Sequence, residues 1–185
     1  MAQSQLVLVY GGRNEVLNLR DLSSYNAASR VWASRAAGRF RMSHSAVAIN
    51  DGVQMLVFGG LGGDVADVTQ ARLLNQLDAY TVASDSWIQL ASGPSARSEH
   101  TAVVYKQQMF VFGGITTLPD GATNELWRFD LATQRWTDLT SQTTGDVPLP
   151  LWGHTASVVG NSMIVMFGFR QVQFELQEGN VCRDN

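Results

Sequence analysis

Short apolar runs alternate with polar turns along the whole chain. Residues 6–10, 55–58, 109–112 and 164–167 are each four or five apolar residues rich in Val, Phe and Met. Runs of that length, bounded by turn residues, predict strands. Residues 100–105 form another such run, and the polar Lys106-Gln107-Gln108 joins it to residues 109–112 as a predicted hairpin. Residues 125–131, with Leu126 and the alternating Trp127 and Phe129, predict a third strand. Residues 135–139, anchored by Trp136, predict a fourth. No segment keeps an apolar period of 3.6 residues over two turns, so helices are not expected.

The strands recur. Three runs end in a glycine doublet, Gly11-Gly12, Gly59-Gly60 and Gly113-Gly114, and the fourth ends at Gly168-Phe169, read as keeping the first glycine. Successive first glycines then lie 48, 54 and 55 residues apart. A second landmark keeps the same phase: Tyr25, Tyr80 and Phe129 precede Trp32, Trp87 and Trp136 by seven residues each. A third is His44, His100 and His154, each followed by Ser or Thr and then Ala. Three landmarks in register at a period near 50 mark a repeat architecture.

On these residues the sequence resembles the kelch repeat family over residues 6–169. The resemblance implies an all-β, kelch-type β-propeller, incomplete, with about three and a half four-stranded blades. The partial first blade spans about 5–34, complete blades span 43–90 and 99–139, and a partial fourth spans 153–169. Residues 172–176 are read as a degenerate strand, and the stretch to 185 as a polar tail. The glycines serve sharp exits from strand b and close approach of a neighbour. The aromatic pairs supply area between blades, with Trp87 and Trp136 expected to be buried there.

Composition then narrows the function. Apolar residues make up 45% and charged residues 16%, a globular balance, and the net charge of −3 lacks the basic face of a nucleic-acid binder. Cys182 is the single cysteine, so no intrachain disulfide forms and a reduced, cytoplasmic setting is the default expectation. The five apolar residues 6–10 are too few for a signal-peptide core or a membrane span, taking Met1 as the start.

Candidate chemistry is sparse. Equivalent histidines on successive blades sit too far apart to share a metal, so each is expected against the start of strand a, bonded to backbone. Asp64 and Asp67 are too few carboxylates for Ca²⁺. Ser43-His44-Ser45 and His100-Thr101 put neighbouring side chains on opposite strand faces, which does not suit a catalytic triad. The resemblance brings enzyme precedents, galactose-oxidase-like copper radical oxidases and iron-dependent specifier proteins. This sequence lacks the extra Tyr, His, Cys or carboxylate sets they use.

The expectation is therefore a non-catalytic protein-interaction scaffold without metal or cofactor, its partner another protein. The alternative is a fragment of a metal-dependent propeller enzyme. Arg41 and Arg97 precede their histidines by three residues, while Leu151 breaks the series. By resemblance to kelch adaptors these arginines would hold an acidic peptide at the channel mouth. The competing reading has them capping a loop or bridging blades. The long b–c connection, residues 61–75, adds Asp64, Asp67 and Arg72 as partner-contact candidates.

Overall fold

A computed structural model describes residues 6–63, 67–117 and 121–170. It is built of antiparallel strands, and the helical turns among the described residues are three short 3-10 turns. Blade 1 contributes strands b, c and d at Leu6–Tyr10, Leu22–Asn26 and Val31–Arg35. Blade 2 has all four: Ser45–Ile49, Gln54–Phe58, Leu77–Thr81 and Ser86–Gln89. Blade 3 has Thr101–Tyr105, Gln108–Phe112, Leu126–Asp130 and Arg135–Asp138. Blade 4 supplies strands a and b, Thr155–Val159 and Ser162–Met166. Each complete sheet runs in sequence order a-b-c-d. The a strands of blades 2, 3 and 4 lie side by side, which defines the arc of an incomplete propeller.

Alternation on strand b explains why those runs are apolar throughout. In blade 2, Met55 and Val57 pack toward blade 1 with Leu22, Tyr80, Leu8 and Tyr10. Leu56 and Phe58 point the other way, into Met109, Val111 and Phe129 of blade 3. A strand buried on both faces needs apolar residues at every position. Among the described residues the end blades have one covered face each. Val7 and Val9 on blade 1 are exposed, as are Ile164 and Met166 on blade 4.

The seven-residue offset is a cross-strand pair. Tyr25 faces Trp32, Tyr80 faces Trp87, and Phe129 faces Trp136 across the c–d hairpin. The buried member is on strand c: Tyr80 and Phe129 have no exposure. The expectation for the tryptophans needs correcting. Trp87 and Trp136 are half-buried, because each indole lies on the rim of a joint with its N–H turned to a loop carbonyl, Ala36 at 2.8 Å and Ala91 at 3.1 Å. They still bridge blades, since Trp87 packs on Tyr10 and Trp136 on Phe58. Trp32 has no preceding blade among the described residues and is 58% exposed. Trp87→Ala should therefore cost about 2 kcal/mol and Trp32→Ala less than about 1 kcal/mol, read from urea midpoints. Equal costs would contradict the joint.

The fourth glycine motif also reads differently in space. Thr155 pairs with Met166 as Thr101 pairs with Phe112 and Ser45 with Phe58. Phe167 thus occupies the first-glycine position, at φ +63°, and Gly168 the second, at φ +91°. Gly60 and Gly114, the second glycines of blades 2 and 3, have φ of +97° and +92°. Counted from its histidine, Phe167 stands thirteen residues on, as Gly113 does. The sequence count was one residue out because Gly168 is the lone glycine left in that motif. Residues 171–185, with the degenerate strand and Cys182, lie outside the described residues.

Candidate functional site

The repeated landmarks converge at the blade end where strand b stops and strand a begins. The N–H of Gly12, Gly60 and Gly114 donates to the carbonyl of Arg41, Arg97 and Leu151 on the next blade, at 2.8, 2.7 and 2.8 Å. The N–H of those same three residues returns a bond to Leu19, Leu74 and Thr123. Each position is held by its backbone from both sides, so its side chain is free to differ.

In blades 2 and 3 that side chain is arginine, and it turns inward. Arg41 is fully buried. It donates to the carbonyls of Gly59 (3.0 Å), Gln76 (3.3 Å) and Val57 (3.4 Å) and to Asp78 Oδ2 (2.6 Å). Arg97, equally buried, donates to Gly113 O (2.9 Å), Ser95 Oγ (2.5 Å) and Glu125. Burial pulls both guanidinium pKa values down and the carboxylates oppose it. This corrects the expectation of an acid-binding pair at the channel mouth. Both arginines tie their own blade together from the seam, with no donor turned to solvent.

The histidines complete the seam. His100 Nε2 meets Ser45 Oγ of the preceding blade at 2.8 Å, and His154 Nε2 meets Thr101 Oγ1 at 2.9 Å. At His100 and His154 the partner is thus a hydroxyl from the neighbour's strand a, and His154 also has a backbone bond to Phe112. The rings stand edge-on to Tyr10, Phe58 and Phe112, and they sit over the first glycines. Among the described residues no three His, Cys, Asp or Glu side chains converge as metal ligands.

Burial depresses all three imidazoles, that of His44 to about 4. The unfolded chain protonates first, at the ordinary histidine range near 6.5. The stability they confer is complete above that pH and is lost as pH falls from there toward about 4 for His44. Between pH 7 and 5 the unfolding free energy measured by urea titration should fall, by up to about 1.4 kcal/mol per pH unit for each histidine. His100→Gln should flatten the slope, and a flat wild-type profile would contradict the assignment.

What remains open to solvent is a row and a loop. Ser43, Glu99 and Gly153, each just before its histidine, have φ of +52°, +55° and +63°. Glu99 N donates to Ser43 O at 3.0 Å and Gly153 N to Glu99 O at 2.9 Å, stringing one backbone row across three blades. Ser43 Oγ adds a bond to Glu99 Oε1 at 2.5 Å. Sequence reading missed this row, because Ser and Glu do not announce a left-handed backbone.

The loop is the b–c connection of blade 2. Leu61–Gly63 pairs with Phe40–Met42 on one side and Arg72–Leu73 on the other. Asp67 accepts from the N–H and hydroxyl of Thr69, both at 2.8 Å, and from Gln70 at 3.2 Å, and bridges to Leu17 of blade 1. Those bonds hold its carboxyl below its usual pKa. Arg72 is exposed on the same connection, while Asp64 lies outside the described residues.

The profile of the KLHDC2/KLHL20/DRC7 Kelch-repeats domain matches residues 1–182. The chain belongs to the kelch-repeat family. This kelch chain is 35% identical to human host cell factor 2 over 133 residues, 64% of its own length and 16% of that protein. It is 33% identical to rat Kelch domain-containing protein 3 over 175 residues, 86% of the chain and 43% of that protein. With the Caenorhabditis elegans protein tag-53 it shares 32% over 157 residues, 77% of the chain and 11% of that protein. The chain thus spans less than half of each relative. No helix among the described residues is long and apolar enough to cross a membrane.

Proposed function

We infer that this kelch chain is a non-catalytic protein-interaction module whose partner sits on the b–c connections of blades 1 and 2. One observation carries the reading. The seam beneath spends its arginines and histidines on the fold, whereas the blade 2 connection runs well beyond what strands b and c need and presents Thr69, Gln70 and Arg72 outward. Insertions on one face of a repeat array are where such proteins bind. Kelch-repeat relatives, host cell factor 2 and Kelch domain-containing protein 3 among them, support a binding role. An acidic ligand loses its main support once Arg41 and Arg97 are enclosed. A photo-cross-linking residue at Gln70 should capture a protein in cells, and one at Lys106, on the opposite a–b turn, should not. Capture from Lys106 alone would place the partner elsewhere.

A further inference from the structure

The two complete blades also meet at their a–b turns, on the face away from the glycine seam. Strand a of blade 2 ends at Ile49 and turns through Asn50 and Asp51. Strand a of blade 3 ends at Tyr105 and turns through Lys106 and Gln107. Between them lies a cavity of about 560 Å³, lined by the four turn residues and by Ala48, Ile49 and Val104. Ile49 and Val104 belong to the core that the two blades share, so the slot has an apolar floor. Its rim carries a carboxylate on one wall and an ammonium on the other.

Both turns are held in place. Asn50, Asp51 and Lys106 have left-handed φ of +51°, +55° and +55°. Val53 O accepts from Val82 N, and Gln107 O from Leu131 N, both at 3.0 Å, which pins each turn to its own c–d hairpin. The rim charges are not spent on the fold. Asp51 makes no ion pair or side-chain hydrogen bond among the described residues, and Lys106 Nζ stands over the ring of its own Tyr105 at 5.1 Å. Nor does the repeat demand them, since the same turn in blade 4 is Gly160-Asn161. A concave apolar surface of roughly 300–1,000 Å³ with a few convergent polar groups is how small-molecule sites are built.

We propose that this slot binds a small aliphatic zwitterion, an amino acid or dipeptide with a branched side chain. Its ammonium meets Asp51, its carboxylate meets Lys106, and its side chain lies on Ile49 and Val104. Spacing sets the size. Packed sheets stand about 10 Å apart, and two charge-assisted hydrogen bonds of about 2.8 Å each leave roughly 4–5 Å between the ligand's charges. An amino acid or a dipeptide fits that span, and a longer peptide overshoots it. The site lies on the face opposite the b–c connections and takes a small solute. Its failure would leave the Gln70 cross-link standing.

Lys106 is the sequence's one lysine and supplies its own reporter. Reductive methylation with isotope-labelled formaldehyde marks Lys106 and the N-terminal amine and leaves the lysine charged. L-leucine and leucyl-leucine, titrated separately, should shift the Lys106 NMR signal saturably and leave the N-terminal signal in place. The tighter of the two tells free amino acid from dipeptide. Leucinamide, which lacks the carboxylate, and N-acetylleucine, which lacks the ammonium, should bind at least roughly tenfold more weakly than leucine. Asp51→Asn should weaken leucine by a similar factor, and asparagine adopts the left-handed backbone readily, so the turn is kept. No saturation by about 10 mM of either ligand would overturn the proposal. So would equal affinity for leucinamide and leucine, which would remove the charge pairing. Glycine binding as tightly as leucine would overturn it too, by removing the apolar floor.

Discussion

Gly59→Ala should destabilise the chain by about 3–5 kcal/mol or prevent its folding, whereas Gly12→Ala should cost about 1–2 kcal/mol. Both positions have positive φ, +64° and +98°, so an alanine is strained at either. They differ in what the new methyl group meets. At Gly59 it would stand 2.6 Å from the carbonyl oxygen of Arg97 and 2.7 Å from Cε1 of His100, both on the next blade. That carbonyl is pinned by the Gly60 N–H, so it cannot yield without opening the joint. At Gly12 nothing lies within 4 Å. The chain carries its own version of this experiment in Phe167, which holds the first-glycine position where no blade follows among the described residues. Phe167→Gly should accordingly raise stability by about 1 kcal/mol through relief of the left-handed backbone. Equal costs for Gly59→Ala and Gly12→Ala in urea unfolding would show that conformation alone, without the blade contact, sets the glycine requirement.

Arg41→Met should cost about 3–5 kcal/mol, and most of that should return in the double variant Arg41→Met/Asp78→Leu. The single change leaves Asp78, which is 6% exposed, with its weaker ion pair to Arg39 Nε at 3.2 Å in place of the 2.6 Å bond from Arg41. It also leaves the carbonyls of Gly59 and Gln76 without the donor that now serves them. Removing both charges avoids a buried carboxylate held only by the part-exposed Arg39, which is the larger part of the cost. A partner-facing arginine would behave in the opposite way, leaving the midpoint unchanged and reducing binding. The two outcomes separate in a single denaturation series.

The architecture was legible because each landmark does one physical job at a fixed place. The Tyr-to-Trp offset of seven is the length of a c–d hairpin, so the pair had to face itself across two strands. Strand b could be read as doubly buried from its unbroken apolar run. The chemistry of the seam was less legible. Asp78 and Glu125, the partners of the two arginines, occupy different positions, one on strand c and one just before it. No spacing rule links them, so the arginines looked unpaired and hence available. The histidine–hydroxyl contacts were hidden because Ser45 and Thr101 follow one histidine in sequence but serve the next one in space. The Phe167 shift was recoverable from the distance to His154, had that landmark been weighted above the glycine itself.

The account holds that the repeated Arg, His and Gly positions bind blade to blade, and that partner contact lies on other surfaces. Arginine modification by phenylglyoxal, resolved by residue with mass spectrometry, tests this most directly. Arg13 and Arg30 are exposed and should react freely in the native chain. Arg41 and Arg97 should react at least roughly a hundredfold more slowly, because their guanidinium groups reach the reagent only when the blades open. In denaturant all four should react alike. Native-state rates for Arg41 and Arg97 equal to that of Arg13 would place both guanidinium groups on the surface and contradict the account.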